Sequence, residues 1–283
     1  MKKPFYKLKR FYIPCIVIII ALAVLAKLLY SPLYTIYWET NHRFEKEQEF
    51  RNFEKMALNP SPKDMIKIVD DYQPKLEDFK DLNTKMQKAI FDFKVAKLFG
   101  FEDRYYGVIL VAYSNIFTIS TTKEHIYFNY LNFISNLNSN EKQKYLSLRA
   151  STKDLEKQIF EEKLKFIKHY DDFYDYLERI GYLDKGAWYK GMANIYKIII
   201  YYFTYDMPKN LKKFYSLEDK KLALEKMKRS YEIFNNLDLN STSKIPSIAN
   251  KNWRNAFKDF SNASYNWINE IQKALDECKR KQC

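Results

Sequence analysis

The chain contains only three histidines, so few of its side chains could take part in acid–base or metal chemistry near neutral pH. His42 shares a helix face with Glu39, Glu45 and Glu49, a spacing that could hold a cation weakly. We interpret that face as a solvated helix surface, which is the usual fate of charged helical positions. His125 lies at what we predict to be a helix start, where a capping or surface role is expected. These residues therefore predict no metal site.

Acidic residues are more numerous, and one set of them shares a predicted helix face. Asp171, Asp175 and Glu178 recur at helical spacing just after His169. The cations that flank this set are Lys165, Lys168 and Arg179. They predict ordinary ion pairs rather than a catalytic pair. A paired-carboxylate enzyme that acts on cell-wall glycan stays open as an alternative, because residues distant in sequence can meet in space.

The motifs that identify common enzyme classes are absent from the sequence. It has no phosphate-binding glycine loop, no nucleophile-elbow motif and no His-Glu-x-x-His zinc motif. Only 5 of the 283 residues are glycine, which disfavours folds that cradle nucleotides on glycine-rich turns. Cys15, Cys278 and Cys283 form neither a disulfide framework nor a zinc pattern, and the state of the last two stays open. We predict no catalytic residue, no cofactor and no metal.

An apolar segment near the N-terminus predicts a membrane span. Residues 1–10 carry basic and no acidic side chains, and residues 11–30 are uncharged apart from Lys27. About 20 apolar residues in a helix cross a bilayer core. The positive-inside rule then puts residues 1–10 in the cytoplasm and the body on the periplasmic side of the inner membrane. The predicted membrane-interface residues are Lys27, Tyr30, Tyr34, Tyr37 and Trp38.

A cleaved signal peptide is the alternative interpretation of the same segment. Val24-Leu25-Ala26 could serve as a cleavage site. We favour an uncleaved anchor, because no polar stretch precedes that site and apolar residues continue after it. Setting aside the five basic residues of the head and Lys27 lowers the formal net charge from +13 to +7. With so modest a charge on a body outside the cytoplasm, we expect no nucleic-acid partner.

The remainder of the chain predicts an all-α fold. Residues 31–60 are predicted to form a helical juxtamembrane stalk, and residues 61–283 an all-α extracytoplasmic domain. Apolar residues recur at spacings of three and four between short polar breaks, as in stacked αα-hairpins. The hairpins follow one another at roughly 30–45 residues, the range of helical repeat arrays. The stretch 108–119 is rich in β-branched residues, but its neighbours favour a helix.

Several helix ends can be located from capping signals. Three capping-box spacings predict helix starts at Ser61–Asp64, Ser151–Asp154 and Ser216–Asp219. Gly181 is placed to end the helix that follows Ser151. Residues 196–203 are apolar on nearly every side, which predicts a helix at the centre of the bundle.

The aromatic residues supply the remaining functional hypothesis. Most of the 21 Phe, 24 Tyr and 4 Trp are expected to pack the core. The candidate partner-binding residues are Tyr105, Tyr201 and Trp253. We expect a non-enzymatic, membrane-anchored scaffold or adaptor whose periplasmic helical domain docks protein partners in an envelope assembly of the secretion-system or flagellar-motor type. The alternatives are a protein that binds or cleaves cell-wall glycan and a sensor module, and self-association into a homo-oligomer is left open.

Overall fold

The computed structural model describes residues 9–137, 142–205, 216–238 and 253–280. Its α-helices are α1 Lys9–Ala57, α2 Pro62–Asp71, α3 Leu76–Gln87, α4 Ala89–Leu98, α5 Glu102–Ser135, α6 Lys142–Arg179, α7 Ala187–Tyr205, α8 Leu217–Asn235 and α9 Trp253–Arg280. A short 3₁₀ turn at Tyr182–Lys185 joins α6 to α7. Every regular element in the described ranges is helical, which confirms the predicted all-α bundle. Four predicted features lie wholly or partly outside the described residues: residues 1–8 of the predicted head at 1–10, the breaks at 138–140 and 240–246, and Cys283.

Helix α1 is a single helix of 49 residues with two different halves. Its N-terminal half is apolar, and no residue of its apolar window is buried by the rest of the described chain. Its C-terminal half packs against α5, α4 and α2, and Ile36 and Trp38 belong to the main hydrophobic core. Residues 31–57 are therefore part of the helical body rather than a separate stalk, because their apolar face is buried against other helices.

Helices α1 and α5 run parallel to each other. Thr35 is hydrogen-bonded by the Tyr113 hydroxyl at 3.2 Å. Further along both helices Lys123 pairs with Glu49, and the Tyr130 hydroxyl then donates to the carbonyl of Ala57. These contacts occur in the same order along both helices. The N-terminal end of α5 therefore lies at the same end of the body as the apolar half of α1.

The remaining helices complete a core that is dominated by aromatic side chains. Helix α6 runs antiparallel to α5, because Phe166 stacks on Phe117 whereas Lys163, earlier on α6, pairs with Glu124, later on α5. Helix α7 lies at the centre, as its apolar sequence predicted, and contacts α5, α6, α8 and α9. Consecutive helices pack together at α7–α9, whereas α1 with α5 and α3 with α6 are pairs distant in sequence.

The capping predictions have mixed outcomes. Ser61 and Ser216 both form complete capping boxes, with Asp64 and Asp219 respectively. Gly181 adopts φ of 68° and ends α6. The predicted helix start at Ser151 is wrong, because α6 already begins at Lys142 and continues through that position. The Thr152 hydroxyl donates to the Arg149 carbonyl within the helix, at 3.0 Å.

Candidate functional site: a charged groove between three helices

A surface groove runs between α6 and α8, with α7 as its floor. We call it the α6–α8 groove. One part is a cleft of about 430 Å³, lined by Asp171, Tyr174, Asp175, Glu178, Lys197 and Arg229, among others. The other is a cleft of about 350 Å³ with more apolar walls, including Leu164, Tyr201, Tyr205 and Leu222. Asp171, Asp175 and Lys226 line both clefts, so they mark the boundary between the two parts.

A hydrogen-bonded ion pair bridges the groove at that boundary. The Asp171 carboxylate on α6 accepts hydrogen bonds from the Tyr201 hydroxyl at 2.6 Å and from Lys226 Nζ at 2.8 Å. Its other oxygen lies 3.2 Å from Lys197 Nζ on α7. Lys226 Nζ also donates to the Tyr201 hydroxyl oxygen, at 2.8 Å. One carboxylate thus ties together the three helices that form the groove.

The electrostatics of the bridge fix its protonation state. Burial favours the neutral form of Asp171, but the charge of Lys197 and the hydrogen bonds from Lys226 and Tyr201 outweigh it, so the pKa lies below its ordinary value. Burial and the neighbouring Asp171 charge raise the pKa of Tyr201. At neutral pH the groove therefore holds a carboxylate and a protonated phenol. This arrangement can bind charged and polar groups, but it provides no acid–base pair poised near pH 7.

Unpaired charges and apolar side chains surround the bridge. Within the described chain, no ion pair involves Asp175, Glu178 or Arg229, and all three side chains are exposed in the larger cleft. Leu164 and Leu222 are exposed large apolar residues in the smaller cleft. The groove therefore presents charges of both signs beside exposed apolar side chains.

We expect the Asp171→Asn variant to lower the free energy of unfolding by about 1–2 kcal/mol, because it leaves two lysines together without their counter-charge. Tyr201→Phe removes the hydroxyl that donates to Asp171 and accepts from Lys226, but it keeps the carboxylate and both lysines, so its expected cost is smaller. Chemical denaturation in detergent micelles measures both. The bridge would have no structural role if Asp171→Asn unfolded at the same denaturant concentration as the parent.

The three predicted partner-binding residues do not form a common exposed surface. Tyr105 of α5 is 0% exposed and belongs to the main hydrophobic core, so its assignment to a binding surface is wrong. The ring of Tyr201 is also buried, and only its hydroxyl reaches the bridge in the groove. Trp253 begins α9, but its side chain lies outside what the structure describes. The rings of Tyr105 and Tyr201 are buried because they lie on the faces of α5 and α7 that pack against other helices.

The predicted membrane-interface residues divide into two groups. Lys27, Tyr30, Tyr34 and Tyr37 are exposed along α1. Trp38 is only 7% exposed, because its ring packs edge-on against Tyr113 and lies under Lys85 Nζ. Its assignment to the membrane interface is therefore wrong, and it belongs to the core of the body.

A buried polar cluster lies between α5 and α6, where the sequence predicted a helix start. His125 is in the middle of α5 and buried, together with Glu124. Lys163 of α6 forms an ion pair with Glu124 in the interior and lies over the ring of Phe79, 5.5 Å from its centroid. Neither the burial of Lys163 nor its partner could be recognised from one helix alone, because both depend on how the helices pack. Because Glu124 and Lys163 are buried, a ligand in solution cannot reach this cluster.

The candidate metal residues do not converge. His42 is exposed and stacks on Trp38, with ring centroids 5.3 Å apart. Among the residues that the structure describes, no group of three or more His, Cys, Asp or Glu side chains could hold a metal ion.

In comparisons with known proteins, no family model, no curated protein and no solved structure matches the chain.

Proposed function

We propose that the chain is a membrane-anchored docking protein without catalytic activity. In this proposal the apolar half of α1 crosses the inner membrane, with the N-terminus in the cytoplasm and the helical body in the periplasm. The body binds protein partners through the α6–α8 groove. An envelope assembly of the secretion-system or flagellar-motor type is the setting that we favour.

The observation that carries the proposal is the construction of α1. Within the described residues it is the one helix long and apolar enough to cross a membrane, and no residue of its apolar window is buried inside the body. A soluble chain rarely exposes so large an apolar surface, whereas lipid would cover it at no cost. The same helix continues without a break into the core at Ile36. The body would therefore be held close to the membrane by a helix that packs into it.

The groove supports docking better than turnover. Its bridging carboxylate, Asp171, has a lowered pKa and stays ionised, whereas a general acid needs a raised one. Among the residues that the structure describes, the carboxyl groups whose pKa is raised by burial are Asp92 and Glu124. Both lie between packed helices and away from the groove. This distribution disfavours the alternative of a cell-wall glycan hydrolase.

Site-specific cross-linking tests the docking proposal. A photo-reactive amino acid at Glu178, in the groove, is compared with the same amino acid at Glu270, an exposed residue of α9. We expect stoichiometric adducts with a defined envelope protein from position 178 and none from position 270. The adduct should weaken when Arg229 is changed to Glu.

Three results would contradict the proposal. The first is an equal pattern of adducts from both positions, which would mean random encounters. The second is an adduct only between copies of the chain, which would make the groove a self-association surface. The third is release of soluble fragments from purified cell-wall glycan by the pure protein, which would replace docking by catalysis.

A further inference from the structure

The outward face of α4 and the residue after it carry exposed apolar side chains beside lysines. Phe91, Lys94 and Leu98 lie on one outward face of the helix, at spacings of three and four residues, and all are exposed. Leu98 is 77% exposed, and Phe99, which follows the helix, is also an exposed large apolar residue. Lys97 adds a second cation next to this tip. We call Phe91, Lys94, Lys97, Leu98 and Phe99 the α4 tip.

Two contacts fix the direction in which α4 runs beside α1. Lys85, near the end of α3, places its Nζ 3.5 Å from the ring centroid of Trp38. Asp92 on α4 accepts a hydrogen bond of 2.7 Å from the Ser31 hydroxyl. Seven residues separate Lys85 from Asp92, and seven separate Trp38 from Ser31, so α3 and α4 together run antiparallel to α1. The chain therefore descends along α1 toward its apolar half.

The antiparallel alignment of α4 with α1, continued past Asp92, brings the α4 tip beside the apolar half of α1. Leu98 comes six residues after Asp92, and Leu25 comes six residues before Ser31, so the two are level. The exposures agree with that register, because Leu25 is 36% exposed whereas Leu22, one turn earlier, is 58% exposed. Leu28 and Leu29 are likewise only partly exposed, so one side of α1 is covered at this level.

We infer that the α4 tip inserts into the outer headgroup layer of the bilayer that the apolar half of α1 crosses. Leu98 and Phe99 lie among the upper acyl chains, Phe91 lies at the level of the headgroups, and the ammonium groups of Lys94 and Lys97 meet anionic headgroups. Leu25 is about 7–8 Å before Tyr30 along the helix, within the roughly 5–10 Å to which interfacial helices sink. This inference rests on the proposed membrane anchoring and adds a second attachment, which sets the orientation of the body.

A lipid surface fits the α4 tip better than a protein partner does. The patch is continuous with the segment that the proposal places in lipid, and it lies on the end of the body that faces the membrane. Lysines that flank apolar residues on a helix are typical of attachment to anionic membranes, because their stems lie along the acyl chains and their charges reach the headgroups.

Depth-dependent fluorescence quenching in vesicles tests this inference. The full chain, with Cys15, Cys278 and Cys283 changed to Ser, is reconstituted in phosphatidylcholine and phosphatidylglycerol vesicles that contain brominated lipid. An NBD probe is attached to a new cysteine in Leu98→Cys or in the control Leu58→Cys. Leu58 is 71% exposed, similar to Leu98, but lies about 40 Å from Ser31 along α1. We expect quenching at position 98 to be at least about threefold stronger than at position 58.

A charge-reversal pair provides a second measurement. Lys94→Glu with Lys97→Glu should reduce quenching at position 98 at least about twofold, because the tip then faces headgroups of its own sign. The matched control reverses Lys153 and Lys157, two exposed lysines of α6, and should leave the quenching unchanged.

The outcomes separate the inference from the anchoring on which it rests. Vesicles that carry the chain on flotation but give equal quenching at positions 98 and 58 would overturn the inference and leave the anchor intact. A chain that fails to float with vesicles would overturn the anchoring and the inference with it. In a third outcome, the NBD probe at position 98 is shielded from water without being quenched by brominated lipid. If that shielding increased with protein concentration, a second copy of the chain would cover the tip and the inference would be overturned.

Discussion

Replacement of Lys163 by methionine is expected to lower the free energy of unfolding by about 3–5 kcal/mol, the usual cost of removing one partner from a buried ion pair. Lys163 and Glu124 are both buried between α5 and α6. The methionine fills similar space, so the loss comes mainly from the Glu124 carboxylate that is left without its counter-charge. Chemical denaturation of the full chain in detergent micelles, followed by circular dichroism, measures the effect.

Two controls define what that loss means. Lys157→Met, on the same helix, removes an exposed lysine whose ion pair with Glu161 spans 4.0 Å, and should cost less than about 0.5 kcal/mol. The double variant Lys163→Met with Glu124→Leu removes both charges and should recover most of the stability. If Lys163→Met unfolded like the Lys157 control, the ion pair would not be buried as described.

The second large effect is a dependence of stability on pH that comes from His125. Burial lowers the pKa of His125 to about 3, and the charge of Lys163 adds to the shift. The unfolded chain, with a histidine pKa near 6.5, therefore binds a proton below pH 6.5 that the folded chain does not. Stability must fall as the pH falls through this window, by at most about 1.4 kcal/mol per pH unit. Between pH 6.5 and 5.0 the expected loss from His125 is about 1.5–2 kcal/mol.

The variant His125→Gln isolates this contribution. Burial raises the pKa of Glu124, which gives a slope of the opposite sign, but that slope is present in both proteins. Denaturation curves at a series of pH values between 6.5 and 5.0 should therefore show the variant losing about 1.5–2 kcal/mol less than the parent. Equal slopes in the two proteins would mean that His125 is open to solvent and titrates normally.

The sequence predicted the helices better than it predicted their surfaces. Apolar spacing and capping residues depend on neighbours along the chain, which is why the helix starts after Ser61 and Ser216 are confirmed. Ser151 carries the same local signal, but the segment before it is also helical and the helix passes through. A capping sequence indicates a helix start only where the preceding residues do not continue the helix.

Exposure depends on tertiary packing, and here the sequence was least informative. Nearly every helix carries an aromatic stripe, so periodicity could not show that Tyr105 and Trp38 face other helices. The acidic face of Asp171, Asp175 and Glu178 was recognised from its spacing on one helix. Its partners Lys197 and Lys226 come from α7 and α8, and only the folded chain brings them within reach of Asp171.

The central claim is that the apolar half of α1 stays attached to the chain and lies in the membrane. It is tested most directly by the fate of the untagged protein in cells. Membranes are washed with alkaline carbonate, and the mass of the retained chain is measured. The account predicts a chain of full length, with residues 1–30 present, that stays with the membranes. A chain released by the wash, shortened by removal of that segment, would contradict it.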